Sequence, residues 1–376
     1  MPTEFGVLSS VVRQIRGYGP DPFLTYKPGA TSLLLGGLRC SASCSFCMST
    51  NLVHRPDVVP WVVTDDPNWQ AGSDSWWYGL RGRMTPLNAV PAAEHRGASQ
   101  MLFGINEPTV TAEWTMLTAQ EARKRGIDVV VETNGFTNPG VIKSGFGPLV
   151  NAVDVGVKGS ADPDFYAWTM KSPGAVPHVL ASLIAWRQAG AHLVVGDVVA
   201  PSHMQDDARF RKSATRFYGW VAENLGPLTD VLITQMAPPG PLKPGAGATG
   251  PLVRPGDAGV YAERIAEAIA IAQAAGLPYA HGKYAGEQRI DCHACGGLLL
   301  RFRQRCGEMA TQQQWDQHGP CVMAEFFCPW WSHEQHVSDS RCDKCGAVVP
   351  IVALTEQELA QTRLTVAEAS RPLTSS

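Results

Sequence analysis

The sequence predicts an α/β protein in which strands and helices alternate along most of the chain. Three observations predict it: six short β-rich runs, helical stretches between them, and glycines at the ends of those helices. Several of the runs are nearly continuous apolar sequence, as in strands whose sheet is covered by helices. Right-handed crossovers would form a parallel sheet or partial barrel, whose chemistry lies at the carboxyl ends of the strands.

The predicted strands are TSLLLG (31–36), SQMLFG (99–104), IDVVVET (127–133), NAVDVGV (151–157), HLVVGDVV (192–199) and TDVLITQM (229–236). Two predicted helices end at Gly126 and Gly190, and each glycine leads directly into the next strand, as at an α-to-β connection. A third helix is predicted at about 257–275, where it stops before Gly276.

Composition limits the classes of protein that the chain can belong to. Its 376 residues, 44% apolar, suffice for one large domain and a small appendage. A net charge of −3 provides no general basic field for nucleic acid, so a nucleic-acid partner is not expected. We find neither an apolar secretion signal nor the run of about 18 apolar residues that a membrane span needs. We therefore expect a cytoplasmic protein without a membrane partner.

We divide the chain into an N-terminal extension (1–30), a core (31–284), a cysteine-rich region (285–352) and a tail (353–376). The core carries a tryptophan-rich insert at 48–98, and long loops in compact domains usually have a function. Two interpretations stay open: a wall for an apolar or aromatic substrate beside the cysteine loop, or a self-packed loop whose aromatic residues bury one another. The aromatic residues in question are Trp61, Trp69, Trp76, Trp77 and Tyr78.

The ten cysteines fall into two groups, three between 40 and 47 and seven between 292 and 345. A disulfide framework is typical of short secreted chains, and this chain is neither short nor marked for export. The distribution therefore favours two local metal-binding regions.

Cys40, Cys44 and Cys47 have the spacing C-x3-C-x2-C directly after the first predicted strand. Three thiolates can hold three irons of a [4Fe-4S] cluster and leave the fourth iron open to a ligand. This motif resembles that of the radical S-adenosylmethionine (SAM) superfamily. The resemblance implies a [4Fe-4S] cluster, SAM bound at the open iron, its cleavage to a 5′-deoxyadenosyl radical, and an electron donor such as flavodoxin or ferredoxin.

Later segments are similar to further elements of that superfamily, in the same order. FGINEPT (103–109) is similar to its GGEP segment, VETNGF (131–136) to its TNG element and DVGVKG (154–159) to its D-x-K-G element. The resemblance implies a partial (β/α)6 radical SAM barrel. It also implies contacts with SAM: its adenine with Phe46, its amino group with Asn106 and Glu107, and its carboxylate with Lys158. Thr133 and Asn134, in the TNG element, are further candidate cofactor-binding residues.

More closely, the chain resembles the pyruvate formate-lyase activating enzyme-like branch, particularly the AmmeMemoRadiSam group. It departs from the family in having Ile105 and Asn106 before Glu107, where the family has Gly-Gly-Glu, and Ala237 where relatives often carry a histidine. Asp197 on the fifth strand is a candidate substrate-facing group if the parity of the strand is right; the alternative is a structural carboxylate.

The C-terminal region contains two C-x2-C-G knuckles, CHACGG and CDKCGA, whose cysteines are Cys292, Cys295, Cys342 and Cys345. Four thiolates form a closed tetrahedral site that usually holds structural zinc, although iron also fits. Between the knuckles lie Cys306, Cys321 and Cys328, with His318, His333 and His336 nearby. One interpretation is that these residues form a further metal site, such as an auxiliary Fe-S cluster; the other is that the cysteines are buried as small hydrophobic residues, and both stay open.

The leading functional hypothesis is a radical SAM enzyme that abstracts hydrogen from a small organic substrate in a biosynthetic pathway. The alternative is an activase or modifying enzyme acting on a protein or peptide. A hypothesis of another class is a non-catalytic metal-binding module for nucleic acid, which predicts a basic face around 292–345.

Overall fold

The computed structural model describes residues 25–28, 30, 32–37, 39–45, 47, 53, 85–95, 97–104, 106–199, 206–235, 258–282, 287–304, 331–355 and 357–358. Several predictions fall outside this set: Phe46, Ala237, His318, most of the insert at 48–98, and the cysteines Cys306, Cys321 and Cys328.

Seven parallel strands form the main sheet, and their order in the sheet is their order in the chain. They are β1 (Ser32–Leu35), β2 (Gln100–Phe103), β3 (Asp128–Thr133), β4 (Ala152–Lys158), β5 (His192–Val199), β6 (Asp230–Gln235) and β7 (Ala280–Gly282). The first six correspond to the six predicted strands, and the predicted α/β class is confirmed. Strand β7 escaped prediction because three residues are too few to show a periodic pattern.

The helices are α1 (Pro86–His95), α2 (Ala112–Lys124), α3 (Pro139–Val141), α4 (Pro163–Trp168), α5 (Val176–Ala189), α6 (Asp207–Leu225) and α7 (Ala258–Ala274). Predicted helices correspond to α2, α5 and α7, and Gly190 ends α5 in the left-handed conformation, with φ 81°. Helix α6 was missed, although Asp206 caps it and Phe210, Phe217 and Val221 mark its buried face.

Alternate residues of the strands face two different environments. One set, including Leu33, Met101 and Val153, packs against the helices. The opposite set forms a separate apolar cluster with Tyr26 and Val352; its strand members are Leu34, Leu102, Val130, Ala152, Val194 and Leu232. We call this second side the inner face. Sequential strand order with the helices on one side is the arrangement of a partial barrel.

A second, antiparallel sheet follows the main one in the chain. It contains β8 (Glu287–Asp291), β9 (Leu298–Gln304) and β10 (Trp331–Gln335), with β9 in the middle. A short hairpin of β11 (Val337–Ser338) and β12 (Arg341–Cys342) comes next. The chain then returns to the inner-face cluster, where Val352 forms an isolated bridge with Tyr26 and its carbonyl accepts from the Lys27 amide at 2.6 Å.

None of the helices in the described part of the chain combines the length and the apolar composition needed to cross a membrane.

Candidate functional site

The loop after β1 carries Cys40, Cys44 and Cys47, which form no disulfide among the described residues and are each partly exposed. Two backbone hydrogen bonds hold this loop against the residues that follow α4: the Ser45 amide donates to the Thr169 carbonyl at 2.9 Å, and the Ser43 amide to that of Met170 at 3.3 Å. The cysteines therefore lie at the carboxyl edge of the sheet, between the ends of β1 and β4.

Asn106, after β2, forms hydrogen bonds through both its side-chain oxygen and its side-chain nitrogen with the backbone segment that leads into this loop. Its Oδ1 accepts from the Gly37 amide at 2.7 Å, and its Nδ2 donates to the Arg39 carbonyl at 2.7 Å. Arg39 has φ 71°, a strained value for a residue with a side chain. The Asn106 contacts help to hold the chain in that conformation immediately before Cys40.

Glu107 is buried beside Asn106 and joins the end of β2 to the end of β3. Its carboxylate accepts from the Thr109 amide and hydroxyl, from the Thr133 hydroxyl, and from the Asn134 amide at 2.8 Å. Burial raises the pKa of Glu107, and these hydrogen bonds oppose that shift. These contacts make Glu107 a brace between two strand ends; its predicted contact with SAM stays a prediction.

Asn134 lies directly beside the first cysteine. Its Nδ2 is 2.9 Å from the Ser41 hydroxyl and 3.5 Å from the Cys40 sulfur, and its Oδ1 accepts from the Phe136 amide at 3.0 Å. The structure thus brings Asn106, Glu107, Thr133 and Asn134 together around the cysteine loop, and their predicted roles toward SAM stay predictions.

Lys158, at the end of β4, lies close enough to Cys44 for its charge to act on that thiol. Burial raises the pKa of Cys44 to about 11, and the positive charge of Lys158 opposes the rise. Burial raises the pKa of Cys40 as well. Even with Lys158 nearby, the raised pKa values keep both thiols mostly protonated at neutral pH, so thiolate formation here requires further positive charge.

Two carboxylates that we did not predict as site residues lie on the inner face of the sheet, Glu132 on β3 and Asp154 on β4. A Cβ at Gly196 would be only 2.6 Å from Asp154 Oδ1, so a glycine there leaves room for this carboxylate. Asp154 Oδ1 is buried, and a hydrogen bond from the Gly196 backbone amide acts to lower the pKa of this carboxyl group. Burial and the charge of Glu132 raise the pKa of Asp154 to about 8, against the opposing effect of Lys158. In the sequence, Glu132 and Asp154 alternate with apolar strand residues, and this pattern could have indicated that both carboxylates lie on one face of the sheet.

Asp197 lies on the side of β5 that faces the helices and is completely buried. Its carboxylate accepts from the Ser160 amide and hydroxyl at 2.9 and 2.7 Å and from the Tyr218 hydroxyl at 3.0 Å. The parity that a substrate-facing role requires is not found. That role stays an untested prediction, and the contacts favour the structural alternative.

The four cysteines of the two knuckles converge on one point. Their sulfurs all lie within 4.8 Å of one another, with 3.7 Å between Cys292 and Cys345 and 3.8 Å between Cys295 and Cys342. A tetrahedron with metal–sulfur bonds of about 2.3 Å has edges of about 3.8 Å, so the spacing fits a single metal ion. Next to Cys292, His293 Nδ1 is 2.7 Å from the hydroxyl of Tyr279, which precedes β7.

A polar network closes the amino-terminal edge of the sheet, away from the cysteine loop. The Thr25 hydroxyl donates to Asp230, whose other oxygen is 2.7 Å from His281 Nε2, and His192 Nε2 is 2.8 Å from Thr25 Oγ1. Because the Thr25 proton faces Asp230, His192 Nε2 must be the donor to Thr25. Burial lowers the pKa of His192 to about 4, which keeps this ring neutral at physiological pH.

No family model matches the chain, and no curated protein matches it. Among solved structures, SuiB from Streptococcus suis bound to S-adenosylmethionine is 11% identical, with a TM-score of 0.40, and the match covers 62% of this chain and 46% of SuiB. The chain thus spans less than half the length of SuiB.

Two other solved structures are similar at the same low level. QueE from Escherichia coli is 10% identical, with a TM-score of 0.35 and coverage of 56% of this chain and 77% of QueE. Native anSMEcpe with bound AdoMet is 12% identical, with a TM-score of 0.43 and coverage of 91% and 95%. At this level of identity and TM-score, the likenesses do not establish a function for this chain.

Proposed function

We propose that this chain is a radical SAM enzyme whose [4Fe-4S] cluster is held by Cys40, Cys44 and Cys47. One observation carries the proposal: three cysteines with C-x3-C-x2-C spacing, none of them in a disulfide among the described residues, occupy a single loop at the carboxyl edge of a parallel sheet. A fourth cysteine is absent from the described residues of that loop, as an open iron requires.

The residues around the loop fit such a cluster. Burial keeps the Cys40 and Cys44 thiols protonated, and the positive charge of bound iron would stabilise their thiolates instead. The Lys158 ammonium adds positive charge next to Cys44 and would pair with the carboxylate of bound SAM. Asn106 and Asn134 hold the backbone and side chains of the loop in place before any ligand binds.

The chemistry that the bound cluster would supply is the one-electron cleavage of SAM to methionine and a 5′-deoxyadenosyl radical. The protein's contribution is to orient the bound SAM and to exclude water from the site. In the proposal, Thr133, Asn134 and Glu107 form one rigid connection that fixes the ends of β2 and β3. An electron donor of the flavodoxin or ferredoxin kind would deliver the electron.

We further propose a small organic substrate rather than a polypeptide. Glu132 and Asp154 support it, because two carboxyl groups on the inner face near Lys158 provide polar groups that can hydrogen-bond to a polar small molecule. A protein or peptide substrate is the alternative outcome of a substrate screen; SuiB of Streptococcus suis binds the precursor peptide SuiA.

For the C-terminal region (285–352), we propose a structural metal site, with zinc as the usual occupant of four thiolates and iron as the alternative. The separate sheet of β8 to β10 supports treating this region as distinct from the core at 31–284. Its apolar cluster includes Ile290, Leu299 and Ile351.

The test is anaerobic reconstitution with iron and sulfide, followed by SAM and dithionite, with 5′-deoxyadenosine measured by mass spectrometry. We expect product from the unaltered chain and its loss, by at least a hundredfold, in Cys40→Ala, Cys44→Ala and Cys47→Ala. Ser43→Ala is the matched control, because its loop contact uses the backbone amide, which the substitution leaves in place. Absence of 5′-deoxyadenosine from fully reconstituted, folded protein would contradict the proposal.

A further inference from the structure

The side-chain amide of Asn134 has a fixed orientation toward the first cysteine. The Phe136 backbone amide can only donate, so the atom facing it at 3.0 Å must be the oxygen of Asn134. The Nδ2 group therefore points the other way, where its two hydrogens meet the Ser41 hydroxyl at 2.9 Å and the Cys40 sulfur at 3.5 Å.

The backbone around Asn134 holds this orientation. The Asn134 amide donates to Glu107 at 2.8 Å, and Gly135 follows with φ 79°, a conformation that favours glycine. On the opposite side, the side-chain Nδ2 of Asn106 donates to the carbonyl of Arg39 at 2.7 Å, immediately before Cys40. Both partners of the Nδ2–sulfur contact are thus fixed by neighbouring contacts, so the contact does not depend on the order of the loop alone.

A hydrogen bond to a cysteine sulfur that ligates an Fe-S cluster favours the reduced cluster, because reduction adds negative charge that the N–H dipole stabilises. We propose that Asn134 is a positioning residue that acts through Cys40: it raises the reduction potential of the cluster and orients the first ligand. This inference rests on the proposed cluster site. It differs from the contact with SAM that the TNG resemblance implies, since the Nδ2 hydrogens already have partners in the loop.

Two substitutions remove the donor in different ways. Asn134→Asp has the same shape and keeps the acceptor for Phe136, but it places a carboxylate near Cys40. Asn134→Ser is neutral, and its hydroxyl can still accept from Phe136 in a turn. Only Asn134→Asp adds a charge, whereas both variants lose the hydrogen bond to Cys40. A fall in potential in both variants must therefore come from the lost hydrogen bond.

Ser41→Ala is the matched control, because it removes the other partner of Nδ2 and leaves the contact with Cys40. A general loosening of the loop would affect this control too, whereas an effect through the sulfur would not. Iron and sulfide content and circular dichroism establish that each variant is folded and loaded.

The measurement is the midpoint potential of the reconstituted cluster, from a redox titration followed by electron paramagnetic resonance without SAM. We expect a lower midpoint potential in both Asn134 variants. At a given applied potential, the ratio of oxidised to reduced cluster should be at least threefold higher than in the unaltered chain; a tenfold change in this ratio corresponds to 59 mV for one electron. We expect Ser41→Ala to match the unaltered chain.

An unchanged or higher potential in loaded Asn134→Ser, or an equal fall in Ser41→Ala, would overturn the inference while leaving the proposed function intact. Failure of the unaltered chain to form any cluster would instead overturn the proposed function itself.

Discussion

The Thr133 hydroxyl lies within hydrogen-bond distance of both carboxylate oxygens of Glu107, at 3.1 and 3.0 Å, and so joins the ends of two neighbouring strands. Both side chains are buried, so removing the hydroxyl leaves a carboxylate less well satisfied. We expect Thr133→Val to lower the free energy of unfolding by about 1–3 kcal/mol. Chemical denaturation checks this, with Thr133→Ser as a control that keeps the hydroxyl and should lose less.

The neutral His192 ring predicts a pH dependence of stability. Its pKa is lowered from 6.5 to about 4, mainly by burial, so between these values the unfolded chain binds a proton that the folded chain does not. Stability should therefore fall as the pH decreases from about 6.5 to 4.

We expect His192→Gln, which can still donate from Nε2 to Thr25, to reduce the slope of unfolding free energy against pH in that window. Denaturation series at several pH values measure it. The control is His178→Gln, on an exposed residue of α5. A slope that is the same in His192→Gln and in the unaltered chain would contradict the role of this histidine.

The tetrahedral spacing of the knuckle sulfurs predicts that one metal ion per chain stabilises the C-terminal region. We expect Cys295→Ser to lose most of the bound zinc or iron and to lower the melting temperature by several degrees, because one ligand of four is weakened. Elemental analysis and thermal denaturation measure the two effects.

Lys344→Ala lies within the second knuckle and is the matched control, since it contributes no ligand. Equal metal content in Cys295→Ser and in Lys344→Ala would argue against the four-cysteine site.

The contacts of Asp197 predict that its role is structural. We expect Tyr218→Phe to lower the free energy of unfolding by about 1 kcal/mol, because one hydrogen bond to a buried carboxylate is lost. Asp197→Asn should cost more, since its amide would face the hydroxyls of Ser160 and Tyr218. The exposed Glu223→Gln on α6 serves as the control. Unchanged stability in both buried variants would contradict the structural role of Asp197.

Much of the architecture could be predicted because it depends on local patterns. The apolar runs indicated the first six strands, and the glycines after α2, α5 and α7 indicated where those helices end. Helix α6 was missed despite a buried face with helical spacing, and β7 was too short to recognise. The sequence could indicate which residues belong to the sites but not which atoms they contact. Asn134, for example, was predicted as a site residue, whereas its contacts with Cys40 and Ser41 were not.

The sequence by itself determined which thiols are grouped, because C-x3-C-x2-C and the two C-x2-C knuckles each lie within a few consecutive residues. Only the tertiary structure decided that Asp197 faces the helices and that Asp154 faces inward, because a side chain's face depends on strand parity and sheet register. It alone brought Thr25 to Asp230, which lies 205 residues away in the chain. Such contacts arise from crossovers that align distant strands, and no short stretch of sequence specifies them.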